Sequence, residues 1–247
     1  MVKKVLRIVG IIIFVIGLFA VVGAIYLYNN GLSGKYTNTE PKKEQIKVAC
    51  VGDSITYGHG ISDWEKNNYP AVLQRLLGGD YHVANFGSSG ACVNPNGDQP
   101  YIGREVYQES LDYDADIIVF MIGTNDSKPE NWVDTESFIK NYQELLSSYM
   151  TNSDKQPRIY IGLCAEGYYS KECEPSTGIA EYDIQPAFID EIVEEIKEYA
   201  QLGGYNVEVI DIHSLTEAHP EWFEKDGIHP NNDGARAIAE AVADAIK

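Results

Sequence analysis

Five short apolar runs alternate with amphipathic helical patterns along this chain, and that alternation restricts its fold more than any other feature. The runs are residues 46–51, 81–86, 116–122, 158–164 and 206–211. Most are nearly continuous in Val, Ile, Ala, Phe or Tyr, as expected of strands covered on both faces. Between them, residues 69–77 put Val72, Leu73, Leu76 and Leu77 on one helical face. Residues 137–149 do so with Phe138, Tyr142, Leu145 and Leu146, residues 184–202 with Phe188, Ile192, Ile196 and Tyr199, and residues 233–246 with Ala237, Ile238, Ala241 and Val242. Strands alternating with helices imply an α/β fold, a parallel sheet with helices on both faces. Right-handed crossovers limit the topologies, and the natural five-strand solution is the flavodoxin-like order 2-1-3-4-5.

That order also predicts where a ligand goes. The chain reverses direction between strands one and three, and ligands bind beyond the carboxyl ends of strands at such a switch point. Gly52-Asp53-Ser54-Ile55-Thr56 follows strand one, Gly123-Thr124-Asn125-Asp126 follows strand three, and Asp226-Gly227-Ile228-His229-Pro230 lies between strand five and the last helix. Ser, Asp and His are the parts of a hydrolytic triad. Ser54 has the place of a nucleophile, His229 of its base, and Asp226 of the carboxylate that fixes the imidazole tautomer. Each has a plainer reading. Ser54 could only cap the helix that follows, and Asp226-Gly227 could be an ordinary turn, although a turn does not require His229. Asn125-Asp126-Ser127 also spells a glycosylation sequon, at a position just after a buried strand. His59, in the loop after Ser54, is a candidate for the pocket wall.

These blocks, together with Asn85-Phe86-Gly87-Ser88-Ser89-Gly90, resemble the ordered blocks of the GDSL/SGNH hydrolases over residues 46–247. The resemblance implies the three-layer fold of that family and a serine esterase. It also implies an oxyanion hole made by the Ser54 and Gly87 backbone N–H groups and the Asn125 side-chain amide, donors of the kind a tetrahedral intermediate needs. Other hydrolase signatures are missing: there is no Gly-x-Ser-x-Gly elbow, and Gly87-Ser88-Ser89-Gly90-Ala91 fails at its last position. No phosphate loop occurs, and no His/Asp/Glu cluster has metal-ligand spacing. The reading therefore calls for no cofactor and no metal.

Charge narrows the partners. The chain carries 19 Lys and Arg against 37 Asp and Glu. Six of the bases and one acid lie in residues 1–43, which leaves 13 bases and 36 acids, a net of −23, for residues 44–247. Such a domain repels phosphate backbones, so nucleic acid is not expected as a partner. Ile8 to Tyr28 is uncharged and follows Lys3, Lys4 and Arg7. A membrane-crossing helix needs roughly 20 apolar residues, and basic residues before it keep that end in the cytoplasm. We expect a signal anchor over residues 1–28, a linker over 29–45 and the hydrolase domain over 46–247 facing outward. A cleaved signal peptide is the alternative, because Val22-Gly23-Ala24 has small residues of the right kind. Of the four cysteines, Cys50 and Cys164 sit in strand-like runs as small buried side chains, and Cys164 with Cys173 could close a loop.

The loops set the substrate. Residues 59–68, 92–103 and 165–182 are long and carry Trp64, Tyr101, Tyr168, Tyr169 and Tyr182. Aromatic rings of this kind stack on sugars, line an acyl pocket or pack in the core. No large aliphatic lid is evident, which points to a short acyl group. By analogy with family members facing outward from a membrane, the expectation is a carbohydrate O-acetylesterase acting on a small-molecule or glycan ester. The alternatives are a lysophospholipase or thioesterase with the same serine, and a glycan acyltransferase or binding module.

Overall fold

The computed structural model describes residues 11–23, 40–151, 155–167, 182–202 and 207–247. Five strands, β1 (Ile46–Gly52), β2 (Tyr81–Gly87), β3 (Ile117–Met121), β4 (Arg158–Gly162) and β5 (Val207–Ile210), pair in parallel in the order β2-β1-β3-β4-β5. The expected order is the observed one. Side chains alternate across the sheet with period two. Ala49, Val51, Phe86, Ile118, Phe120, Ile159 and Ile161 face one core, built with the helices Glu105–Asp112, Thr135–Thr151 and Pro186–Gln201. Val48, Cys50, Val83, Val119, Met121 and Tyr160 face the other, against the helices Tyr69–Leu77 and Asn232–Ile246.

Several expectations need correction. β5 is not covered on both faces, since Glu208 and Val209 are exposed on this edge strand. The helices Glu105–Asp112 and Ile212–Glu217 were not expected. Residues 11–23 are helical with exposed apolar side chains. Among the described residues no helix is long and apolar enough to cross a membrane. The remainder of the expected anchor, most of the linker, Tyr168, Tyr169 and Cys173 lie outside the described residues. Cys50, Cys92 and Cys164 are buried free thiols.

Register places the site. Gly52 lies opposite Gly87 on one side and Met121 on the other, so β1, β2 and β3 end at one level and their next residues share one rim. The close approach of β2 to the turn after β1 requires a glycine: a Cβ at Gly87 would sit 2.1 Å from the Tyr57 nitrogen and 2.6 Å from the Thr56 carbonyl carbon. Both are backbone atoms with no room to yield. Gly87→Ala is therefore expected to destabilise the fold by about 1–3 kcal/mol, read as a lower Tm. Gly79→Ala, with nothing within 4 Å of the added methyl, is expected to stay within about 0.5 kcal/mol of the parent.

Candidate active site

Ser54 opens the short helix Ser54–Tyr57 directly after β1, with Asp53 as its N-cap: the Asp53 carboxylate accepts from the Ile55 N–H at 2.9 Å. The cap belongs to Asp53, which leaves the Ser54 hydroxyl for another partner. That partner is His229, whose Nε2 lies 2.9 Å from Ser54 Oγ. His229 sits on a tight loop closed by the Phe223–Pro230 bridge and by a Glu224 N–H bond to the His229 carbonyl at 2.8 Å. Within that loop Asp226 serves two ends. Its Oδ1 accepts from the Ile228 and His229 N–H groups, both at 2.9 Å, and its Oδ2 lies 2.7 Å from His229 Nδ1. A carboxylate only accepts, so Nδ1 carries the proton and Nε2 presents a lone pair to the Ser54 O–H. Burial pushes the Asp226 carboxyl up, but the His229 hydrogen bond and charge and the two backbone bonds outweigh it and hold it below its ordinary value.

The expected donors are arranged differently from the resemblance. The Ser54 N–H has no acceptor among the described residues. The Asn125 side chain, buried on the 3-10 turn Thr124–Ser127, gives one N–H to the Ala91 carbonyl at 3.1 Å and keeps a second. Gly87 does not supply a free donor. Its N–H bonds to Asn85 Oδ1 at 2.9 Å, and the glycine serves close packing instead. Three residues on, Gly90 has an N–H with no acceptor among the described residues and precedes the very carbonyl that Asn125 grips. Asn85 is a positioning residue that sequence reasoning quoted without giving it a role. Fully buried, it donates to the Thr56 carbonyl at 2.9 Å and so staples β2 to the Ser54 helix.

Two rings flank His229: His59, with centroids 4.4 Å apart, and Tyr182, edge-on at 5.7 Å. Two more of the expected loop aromatics, Trp64 and Tyr101, are structural. Trp64 donates to the Tyr57 carbonyl at 2.6 Å, and Tyr101 is buried with its hydroxyl on the Phe86 carbonyl at 2.7 Å. Sequence spacing showed no metal ligands, yet the fold gathers Glu166, Asp190 and His213 with ligand atoms within 4.8 Å of one another beyond β4 and β5. Among the described residues this is the group whose ligand atoms lie close enough to hold a cation, and its members come from three separate segments, so no local spacing reveals them.

The profile of the GDSL-like lipase/acylhydrolase family matches residues 50–237. The chain belongs to this family. An acetylxylan esterase of Xylanibacter ruminicola is 36% identical over 214 residues, 84% of this chain, and the chain spans 44% of that protein's length. A carbohydrate acetylesterase from Sinorhizobium meliloti shares the fold at TM-score 0.63 with 17% identity over 82% of this chain and 98% of that one. A carbohydrate esterase family 3 protein from Talaromyces cellulolyticus does so at 0.60 and 17%, over 82% and 96%.

Two buried carboxyls brace the rim. Burial pushes Asp53 up to about 6 and Asp126 up to about 7, against backbone hydrogen bonds that pull them down. Asp126 accepts from the Val93 N–H at 2.9 Å and the Asn94 N–H at 2.9 Å, tying the turn after β3 to the loop after β2. With its pKa raised by folding, Asp126 holds in the folded state a proton that the unfolded chain has released between about pH 4 and 7, so its contribution to stability falls as pH rises through that window. Asp126→Asn removes this titration. The stability advantage of the parent over the variant is therefore expected to be larger at about pH 5 than at about pH 8, measured by denaturant unfolding at both.

Proposed function

We propose that this family member is a serine esterase that removes short acyl groups, acetyl foremost, from a carbohydrate. The observation that carries the reading is the hydrogen-bonded chain Asp226–His229–Ser54, with distances of 2.7 and 2.9 Å, set beside unpaired N–H donors at the switch point of the sheet. Ser54 Oγ attacks the ester carbonyl while His229 Nε2 takes its proton. The oxyanion is held by the Ser54 and Gly90 N–H groups and the second N–H of Asn125. The intermediate collapses, His229 returns the proton to the departing alcohol oxygen, and water then releases the acyl group from Ser54 by the same steps in turn. Asp226 holds the imidazolium formed on the way.

The choice of acyl group and alcohol draws on the acetylxylan esterase relative and on the carbohydrate esterases that share the fold. Placement of the domain outside a membrane draws on the uncharged stretch Ile8 to Tyr28 after Lys3, Lys4 and Arg7. It also draws on residues 11–23, where Ile11, Phe14, Leu18, Phe19 and Val22 are exposed on a helix that is apolar all round. Such a helix is stable where its surroundings are apolar as well.

The full chain in detergent is expected to hydrolyse 4-nitrophenyl acetate faster than the butyrate and octanoate, and to release acetate from acetylated xylo-oligosaccharides. Ser54→Ala is expected to lose at least ~10³-fold in kcat; equal rates in parent and variant would remove Ser54 as nucleophile, and an octanoate preference would move the substrate to lipid esters. Asn125→Ala is expected to lower kcat by ~10²–10³ with a smaller change in KM, because the oxyanion forms only after binding.

A further inference from the structure

His59 has no part in the steps above, yet it is held as firmly as the residues that do. It sits between Gly58 and Gly60, whose φ values of 92° and 80° only glycine adopts readily, and its N–H donates to the Ser54 carbonyl at 2.9 Å. Three residues further, the Ser62 N–H donates to Asn232 Oδ1 at 3.1 Å and the Ser62 hydroxyl accepts from Asn232 Nδ2 at 2.8 Å, which ties this loop to the last helix. The half-buried imidazole packs on His229 with ring centroids 4.4 Å apart. Neither of its ring nitrogens has a hydrogen-bond partner among the described residues. Burial, and then repulsion from His229, push its pKa down against the pull of Asp226. The ring is thus neutral at neutral pH and offers one donor and one acceptor.

The side of the site on which His59 stands decides what it meets. His229 Nε2–H delivers its proton to the departing oxygen, so the alcohol half of the ester leaves on the His229 side of Ser54. The carbonyl oxygen faces the other way, toward the Ser54 and Asn125 donors. A ring packed at a tilt of 42° against His229 borders the alcohol half. A neutral imidazole whose two nitrogens have no partner among the described residues matches a hydroxyl, which can accept from one nitrogen or donate to the other.

We propose that His59 is a substrate-binding residue that hydrogen-bonds a hydroxyl on the alcohol half of the ester, and so selects polyhydroxylated alcohols such as sugar units. The proposal rests on the esterase reading above. Its test is the ratio of kcat/KM on an acetylated xylo-oligosaccharide to kcat/KM on 4-nitrophenyl acetate, whose aryl alcohol offers no hydroxyl. The ratio cancels any disturbance of His229 itself. With the full chain, His59→Phe, which keeps a ring against His229, and His59→Ala are both expected to lower the ratio about 5- to 10-fold, mainly through KM. His59→Gln, which keeps a donor and an acceptor, is expected to recover part of it. Equal losses on both esters, or a ratio unchanged within about two-fold, would overturn the proposal and leave His59 a packing residue. A parent chain that cleaves 4-nitrophenyl acetate and leaves the acetylated oligosaccharide intact would instead defeat the carbohydrate reading, and this proposal with it, before any variant is compared.

Discussion

Everything at the site depends on three parallel strands stopping at the same height. β1 pairs with β2 and with β3 so that Gly52, Gly87 and Met121 are level. The next residues of all three strands therefore emerge on one rim: Ser54 from the first, Ser88 to Ala91 from the second, Gly123 to Asn125 from the third. A slip of one residue in either pairing would exchange the two faces of a strand and bury the wrong side chains in both cores. Register is thus fixed by hydrophobic burial, far below the rim. The rim inherits its precision from the core, and the Ser88 N–H bond to the Gly52 carbonyl at 2.9 Å carries the β1–β2 pairing one step beyond the strands.

Above the last ladder bonds, side chains take over. Asn85 joins β2 to the Ser54 helix. Asp53 caps that helix, and Thr124 on the β3 turn helps to stabilise its charged form. Asp126 closes the circle by gripping Val93 and Asn94 in the loop after β2. The braces are short polar side chains because they must satisfy turn N–H groups that no strand can reach. Burial is unfavourable for the charged forms of both carboxyls, with repulsion from Asp53 adding to it at Asp126, and the raised pKa of each records that conflict. The geometry of the rim is maintained at some expense to stability near neutral pH.

The sheet was legible in the sequence because strands covered on both faces must be nearly continuous in apolar residues, and β1 to β4 are. The helix Tyr69–Leu77 was legible to the residue, with Asn68 as cap and glycine after it. The helix Glu105–Asp112 was not, because it buries only Val106 and Ser110 fully, too sparse a stripe to stand out. β5 was read as more buried than it is, since its Val-Glu-Val-Ile alternation is that of an edge strand. At the site, Ser54, Asp226 and His229 stood out because their positions after strands are sequence-local facts. The Gly87 donor was misassigned because the pattern Gly87-Ser88-Ser89-Gly90 offers two glycines, and only the Asn85 side chain, folded back on Gly87, distinguishes them. Glu166, Asp190 and His213 were out of reach for a different reason: their proximity is made by β4, a helix and the segment after β5.

The two hydrogen bonds of the Asp226–His229–Ser54 chain differ in range, and that difference orders the assembly of the site. Asp226 and His229 are three residues apart and build their unit within one loop, carboxylate on backbone and ring together. Ser54 and His229 are 175 residues apart and meet only when the last helix has docked on the sheet. Docking is secured close to the site by Asn231, which caps that helix, and by Asn232, which holds Ser62. The loop carrying His59 and the loop carrying His229 are therefore linked to each other as well as to the sheet. Loosening the last helix would carry His229 and Asp226 away as a unit. Ser54 would keep its place, because Asp53 and Asn85 hold its helix from the side of β1 and β2.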